Sequence, residues 1–385
     1  MFNFLGINKN GVRKGFYKKT NNEIPTPCYF LISNLGGGGT NVSRLVSYLH
    51  IFEKGDSQLL LNYYYLNTDF KKLVSFDTDV LNKLHKETDI IDFLRKSRKL
   101  FILNKRRITA DYKFQETSWS PEVMLDSGSG NIFRDIIQNQ KIDAKKFEEI
   151  YTNEIKKYLE FGKKHKFDIL IAMDIASKYT EKQGEHEDKF YKQHLELFKN
   201  LENNLVLLKI TLQLIDKNRD IMIFAPVHGN SKTEYVDYLR NIIKLEKEIN
   251  KKFDGFAVGG LGNIKRSDIL DICGFLRLEL DKLKDSRPIH ILGVGALQNI
   301  VPLSLLGVDS FDCHSPWRRA SEGKFVIPLI DSNCKVITTN KKYWSYIPIG
   351  EFNSKDYVCN CPICSKYSLS ELKELYKRVN EHTIF

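Results

Sequence analysis

The sequence predicts an α/β protein whose parallel strands close into a (β/α)8 TIM barrel. Two patterns predict the parallel sheet. Seven short runs are near-continuously apolar rather than alternating, as strands covered on both faces must be. Stretches with helical periodicity separate most of them, and strand-then-helix repeats imply parallel pairing. A third pattern selects the closed barrel over an open doubly wound sheet. Polar and glycine residues recur where the runs end, the end at which barrel enzymes keep their chemistry.

Taken in order, the first run is "CYFLISNLGG" (28–37), which stops in a glycine tract. Residues 51–120 do not follow the pattern and are read as a divergent insertion. Within them "FLRKSRKLFILNKRR" (93–107) gathers seven basic residues around an apolar centre. That segment is either a solvated face or a phosphate-contacting insertion. "VMLDSGSG" (123–130) ends a strand on Asp126, followed by Ser127 and Gly128. "KKFEEIYTNEIKKYLEFGKKH" (145–165) carries apolar residues at three- and four-residue steps, a helical face. "FDILIAMDIAS" (167–177) leads to Asp174, and "DIMIFAPVHGN" (220–230) to His228 and Gly229. A second amphipathic helix fits "TEYVDYLRNIIKLEKEINKK" (233–252). "GFAVGGLGN" (255–263) supplies Gly259, Gly260 and Leu261, and "RSDILDICGFLRLELDKL" (266–283) reads as a third helix. "IHILGVGA" (289–296) and "VDSFDC" (308–313) complete the series. In the last, Asp312 interrupts an apolar run, and an ionised carboxylate is costly to bury without a partner.

A chain of 385 residues is long enough for one large core with an appendage, or for two domains. Its 59 lysines and arginines against 48 acids leave a net charge of +11, compatible with a polyanionic partner. No apolar run approaches the ~20 residues of a membrane span. The first residues lack the apolar core of a secretory signal. The expected location is therefore the cytoplasm, or a host's cytoplasm for a virus-encoded protein, with no membrane partner.

Seven cysteines are an odd number, and three crowd into "CNCPICSKY" as Cys359, Cys361 and Cys364. His382 follows near the end of the chain. In a reducing compartment such clustering points to metal before disulfides. Three thiolates and one imidazole suit a closed, four-coordinate structural Zn2+ site, whose binding would help fold a segment with little core of its own. The expected division is a barrel domain at 1–350 and a zinc-binding segment at 351–385.

Asp126, Asp174 and Asp312 all sit at predicted strand ends. Any one alone could cap a helix or be a satisfied core acid. Three at equivalent ends of a barrel converge on one pocket. Paired carboxylates of unequal pKa are the usual equipment for breaking a glycosidic bond, one attacking the anomeric carbon while the other manages the proton.

In their chain order these segments resemble the tRNA-guanine transglycosylase superfamily, from about Pro25 to the C-terminus with 51–115 poorly matched. The resemblance implies a pentosyltransferase that exchanges guanine for a 7-deazaguanine. "MLDSGSG" is similar to the D-S-G-G-F segment, which makes Asp126 the general acid/base and brings Ser127 and Gly128 to the substrate. "DILIAMD" makes Asp174 the grip on the guanine edge. "VHGN" stands where V-Q-G-G is usual, so His228 replaces a base-contacting glutamine, with Gly229 beside it. "VGGLG" resembles the G-G-L loop against the heterocycle, through Gly259, Gly260 and Leu261. "FDCHSPWRR" resembles the F-D-C-x-x-P-x-R signature, making Asp312 the nucleophile and placing Arg318 and Arg319 on nucleic acid. The zinc cluster completes the set, and no redox cofactor or nucleoside triphosphate is implied.

Departures from the family pattern bear on the acceptor. Ser321 stands where a second anticodon-reading arginine is expected, and only 17 residues separate Cys364 from His382. With the chain stopping three residues after His382, these favour the branch that inserts 7-deazaguanines such as preQ0 into DNA. The alternative is a tRNA enzyme of the queuosine or archaeosine type. A second alternative is a non-catalytic partner subunit, which the presence of both Asp126 and Asp312 disfavours. Free guanine and a free 7-deazaguanine are the expected small partners, with a homodimer or helper protein compatible with the sequence.

Overall fold

A computed structural model describes residues 2–18, 23–33, 58–67, 123–139, 144–175, 201–262, 264–315, 324–328, 344–348, 368 and 370–371. Eight strands close into a barrel: β4 (Cys28–Ser33), β5 (Gln58–Asn62), β6 (Val123–Asp126), β7 (Ile169–Ile171), β8 (Met222–Val227), β9 (Gly255–Val258), β10 (Ile289–Ile291) and β11 (Ser310–Asp312). Every neighbouring pair is parallel, and β11 pairs back onto β4. The closed barrel is thus observed and the open doubly wound sheet excluded.

Why the strands read as continuously apolar is visible in their two faces. Alternate residues point to opposite sides of a strand. Phe30, Ile32, Leu60, Met124, Ile169, Ile171, Met222, Phe224 and Ala257 form an inner cluster inside the barrel. The intervening residues, such as Leu61, Leu125, Leu170, Ala225, Val258 and Phe311, pack outward in a second cluster with the helices. Those helices are α1 (Ser129–Asn139), α2 (Ala144–Lys164), α3 (Leu201–Leu214), α4 (Lys232–Ile249), α5 (Arg266–Lys282) and α6 (Leu297–Leu305). Helix α4 starts crisply because its N-cap Ser231 accepts from the Glu234 amide, while the Glu234 carboxylate accepts from the amide of Asn230 just before the cap.

Two elements depart from expectation. Strand β5 lies inside the stretch read as an insertion, so residues 58–62 belong to the barrel proper. Its brevity and polar ends, "QLLLN", hid it among unpatterned neighbours. The second is an N-terminal antiparallel sheet of β1 (Phe2–Ile7), β2 (Arg13–Lys18) and β3 (Glu23–Thr26). It underlies the barrel and sends Tyr17 into the inner cluster. Arg13 reaches Asp309 at 2.9 Å, and Arg277 reaches the other carboxylate oxygen at 3.0 Å. Asp309 also accepts from the Ile289 amide, so this buried charge is compensated on each oxygen. A separate two-stranded sheet pairs β12 (Lys324–Pro328) with β13 (Trp344–Pro348). No described helix is long and apolar enough to cross a membrane. The basic stretch 93–107 lies outside the described residues.

Candidate active site

The site grows from the inward positions at the C-terminal ends of the strands. Asp126 follows Met124 by two residues and therefore shares its inward face. Asp312 follows Ser310 in the same way on β11, and its side chain is buried. Asp174 comes three residues after β7 ends. Two clamps hold these ends. The Tyr158 hydroxyl, from α2, sits between the carbonyls of Leu125 and Ile171, at 2.7 and 2.9 Å, tying β6 to β7. Asn204 of α3 bonds both the amide and the carbonyl of Ile175, fixing the loop that carries Asp174.

The three carboxylates meet electrostatically at one mouth. Burial, and then the negative charges of Asp174 and Asp312, push the Asp126 carboxyl from 3.8 up to about 7. The Gly128 amide and Asn62, whose amide donates to Oδ2 at 2.7 Å, oppose that rise. Asn62 stands directly opposite Asp126 in the β5–β6 register. Gly128 adopts a left-handed backbone, φ +64°, and a Cβ there would meet the Asn62 Oδ1 at 2.4 Å. Only glycine can therefore follow Asp126 and Ser127 in this turn.

Asp174 is the counterpart held ionised. Burial alone would raise its pKa, but the hydrogen bond and charge of His228, with the Ser129 hydroxyl, bring it below the ordinary carboxylate value. Ser129 Oγ donates to Oδ1 at 2.5 Å, and His228 Nε2 lies 2.5 Å from Oδ2. The buried His228 ring lies against Gly259, where an added Cβ would meet Cε1 at 2.8 Å. Gly259 thus leaves room for a ring that a larger residue would displace. Its carbonyl accepts from the Tyr235 hydroxyl at 2.7 Å. Gly229 follows β8, and Gly260 and the buried Leu261 continue the loop after β9.

Asp312 is gripped through one oxygen. Its Oδ1 lies 3.1 Å from His290 Nε2 and accepts from the Gly293 amide at 3.1 Å. Among the described residues no donor reaches its Oδ2. His290 Nδ1 is 2.9 Å from Ser310 Oγ, which in turn is 3.0 Å from the Tyr17 hydroxyl.

The structure therefore brings together Asp126, Asp174 and Asp312, sets His228 against Asp174, and packs Gly259 against the His228 ring. Asn62, Ser129, His290 and Ser310 were not anticipated. The sequence held a signal for one of them: a histidine inside the apolar run "IHIL", one residue before the end of a strand. Arg318, Arg319, Cys359, Cys361, Cys364 and His382 lie outside the described residues. Among the described residues no group of three or more histidine, cysteine or acidic side chains could hold a metal ion.

A carboxyl raised to about 7 beside two others at the barrel mouth is equipped for proton transfer, nucleophilic attack and binding of a polar heterocycle. Comparison with known proteins places the chain in a family. A family model described as "Queuine tRNA-ribosyltransferase" matches residues 104–383. A queuine tRNA-ribosyltransferase of Buchnera aphidicola is 29% identical over 168 residues, covering 43% of this chain and 41% of the relative. That of Staphylococcus haemolyticus is 24% identical over 262 residues, covering 68% and 63%. That of Protochlamydia amoebophila is 35% identical over 126 residues, covering 32% and 29%. The chain thus spans between 29% and 63% of the length of these relatives.

Proposed function

Because the chain belongs to the queuine tRNA-ribosyltransferase family, we propose that it is a base-exchange pentosyltransferase replacing guanine in a polynucleotide with a 7-deazaguanine. One observation carries the reading beyond family membership. Burial and then the charges of Asp174 and Asp312 raise the Asp126 carboxyl to about 7 at the mouth it shares with them, so one carboxyl can carry a proton while its neighbour attacks.

In the first displacement an Asp312 oxygen forms a bond to C1′ of the target nucleotide. The C1′–N9 bond breaks, its electron pair leaves with guanine, and Asp126 delivers a proton to the departing base. In the second, a nitrogen of the incoming base bonds C1′ as the Asp312 ester breaks. Asp126 recovers the proton, and two inversions retain configuration. Asp174 accepts from the N–H groups of the guanine-like edge, which an ionised carboxylate suits as a pure acceptor. His228, Gly229, Gly259, Gly260 and Leu261 line the same base, with Ser127 and Gly128 also at the substrate. The target nucleotide must leave its stack to reach this mouth, and Arg318 and Arg319 fit its phosphates.

The relatives' names support tRNA as the acceptor, ahead of the DNA that the departures from the family pattern favour. His228 in the place of a glutamine contacts Asp174 directly, a rebuilt base pocket that bears on which base enters rather than on the polymer. Incubating the protein with labelled guanine and either bulk tRNA or duplex DNA separates the two. Label in tRNA alone ends the DNA reading, and label in neither ends the base-exchange proposal.

The donor set Cys359, Cys361, Cys364 and His382, three thiolates and an imidazole, fits a closed tetrahedral zinc site. We assign it a structural ion that helps fold the segment 351–385, with no part in the exchange.

A further inference from the structure

We propose that His290, fixed by Ser310 and Tyr17, is a positioning residue that holds Asp312 by Oδ1 and leaves Oδ2 as the oxygen that bonds C1′. This rests on Asp312 being the nucleophile. A carboxylate only accepts hydrogen bonds, so an attacking Asp312 needs donors on the oxygen that does not react. Both donors in the described structure, the His290 ring and the Gly293 amide, converge on Oδ1 at 3.1 Å. The lone pairs of Oδ2 are left for the substrate. In the step itself Oδ2 forms the bond to C1′, the C1′–N9 pair departs with the base, and Oδ1 keeps its two hydrogen bonds.

The direction of the relay follows from that demand. A neutral imidazole donates through one nitrogen and accepts through the other. With Nε2–H committed to Asp312, Nδ1 must accept, and the group beside it is the Ser310 hydroxyl at 2.9 Å. The Ser310 proton is then directed to His290, so its oxygen accepts from Tyr17 at 3.0 Å. Tyr17 can fill that role because burial keeps its hydroxyl protonated, far above the ordinary phenol range. The Phe30 ring meets His290 edge-on at 5.7 Å and 88°, which limits rotation of the imidazole. His290 and Ser310 are register partners on β10 and β11, and Asp312 is the next inward residue after Ser310. The N-terminal sheet therefore reaches through the barrel floor to orient the group at its mouth.

The ring protonation can be read without substrate by long-range ¹H–¹⁵N correlation on full-length, ¹⁵N-histidine-labelled protein. The His290 signals are assigned by their loss in His290→Gln. We expect Nε2–H with an accepting Nδ1, and a changed Nδ1 signal in Ser310→Ala and Tyr17→Phe. A ring protonated at Nδ1, alone or together with Nε2, overturns the relay. In base exchange, His290→Gln keeps a donor toward Asp312 and stays within a few-fold of wild type. His290→Phe loses the donor and lowers kcat on the order of 10- to 100-fold, with KM for the free base little changed. Equal kcat in the two variants, or a loss confined to KM, overturns the positioning role. The tautomer measurement stands whether or not the protein exchanges bases, so failure of the activity and failure of the anchor are told apart.

Discussion

Replacing Asp126 with asparagine is expected to stabilise the protein while disabling it. The Asp126 carboxyl is held at about 7 instead of 3.8, chiefly by burial and then by the Asp174 and Asp312 charges. An unfolded chain ionises this group near 3.8, so between pH 4 and 7 the folded protein binds the extra proton. Stability therefore falls as pH rises through that window and stays lowered above it. Held to its full value, the difference amounts to about 4 kcal/mol when the group is ionised. Asp126 is partly accessible at the barrel mouth, and water there screens part of the repulsion. We expect a gain of about 1–3 kcal/mol for Asp126→Asn at pH 8, shrinking toward zero near pH 4. Denaturant unfolding of both proteins at several pH values from 4 to 8.5 measures it. Base exchange by the variant is expected to drop at least 100-fold or so, the usual contribution of a positioned acid/base. A variant no more stable than wild type at pH 8, or a gain that does not shrink with acid, refutes the crowded-carboxylate argument.

Three further outcomes follow. Asn62→Ala removes a donor that lowers the Asp126 pKa. The limb of the kcat/KM profile belonging to Asp126 then moves to higher pH, on the order of one unit; an unmoved limb dissociates Asn62 from the proton transfer. Metal analysis should find one zinc per chain, with chelation or Cys361→Ser lowering the melting temperature; protein free of zinc and equally stable contradicts the site. Reversing Arg106 and Arg107 to glutamate should reduce the slope of log affinity for nucleic acid against log salt, by about one for each phosphate no longer neutralised. An unchanged slope returns 93–107 to a solvated face.

The barrel was legible because strands covered on both faces must be apolar throughout, as "MIFAPV" and "GFAV" are, and because polarity returns where they end. Asp126 and Asp312 were legible for the same reason, since each breaks an apolar run at an inward strand position, whereas Asp174 stands three residues beyond β7. Asn62 was not, because "QLLLN" is five residues long, begins and ends polar, and stands among residues without a period. The antiparallel sheet at the start was hidden as well. Its strands have one side toward the barrel floor, seen in Tyr17 and Ile24, and expose residues such as Leu5 and Ile7, so no hydrophobic period marks them. His290 was readable only in part. A buried histidine in a strand announces a hydrogen-bond requirement, but its partners Ser310 and Asp312 are 20 and 22 residues away in the chain, and Tyr17, which bonds Ser310, is 273 residues away; they meet only in three dimensions.

The sharpest single test is to trap the ester. Wild-type protein incubated with its acceptor polynucleotide, in the absence of competing base, is denatured, digested and peptide-mapped by mass spectrometry. A nucleotide adduct on the peptide carrying Asp312, absent from Asp312→Asn, is the predicted result. An adduct on Asp126 instead, or continued base exchange by Asp312→Asn, contradicts the account.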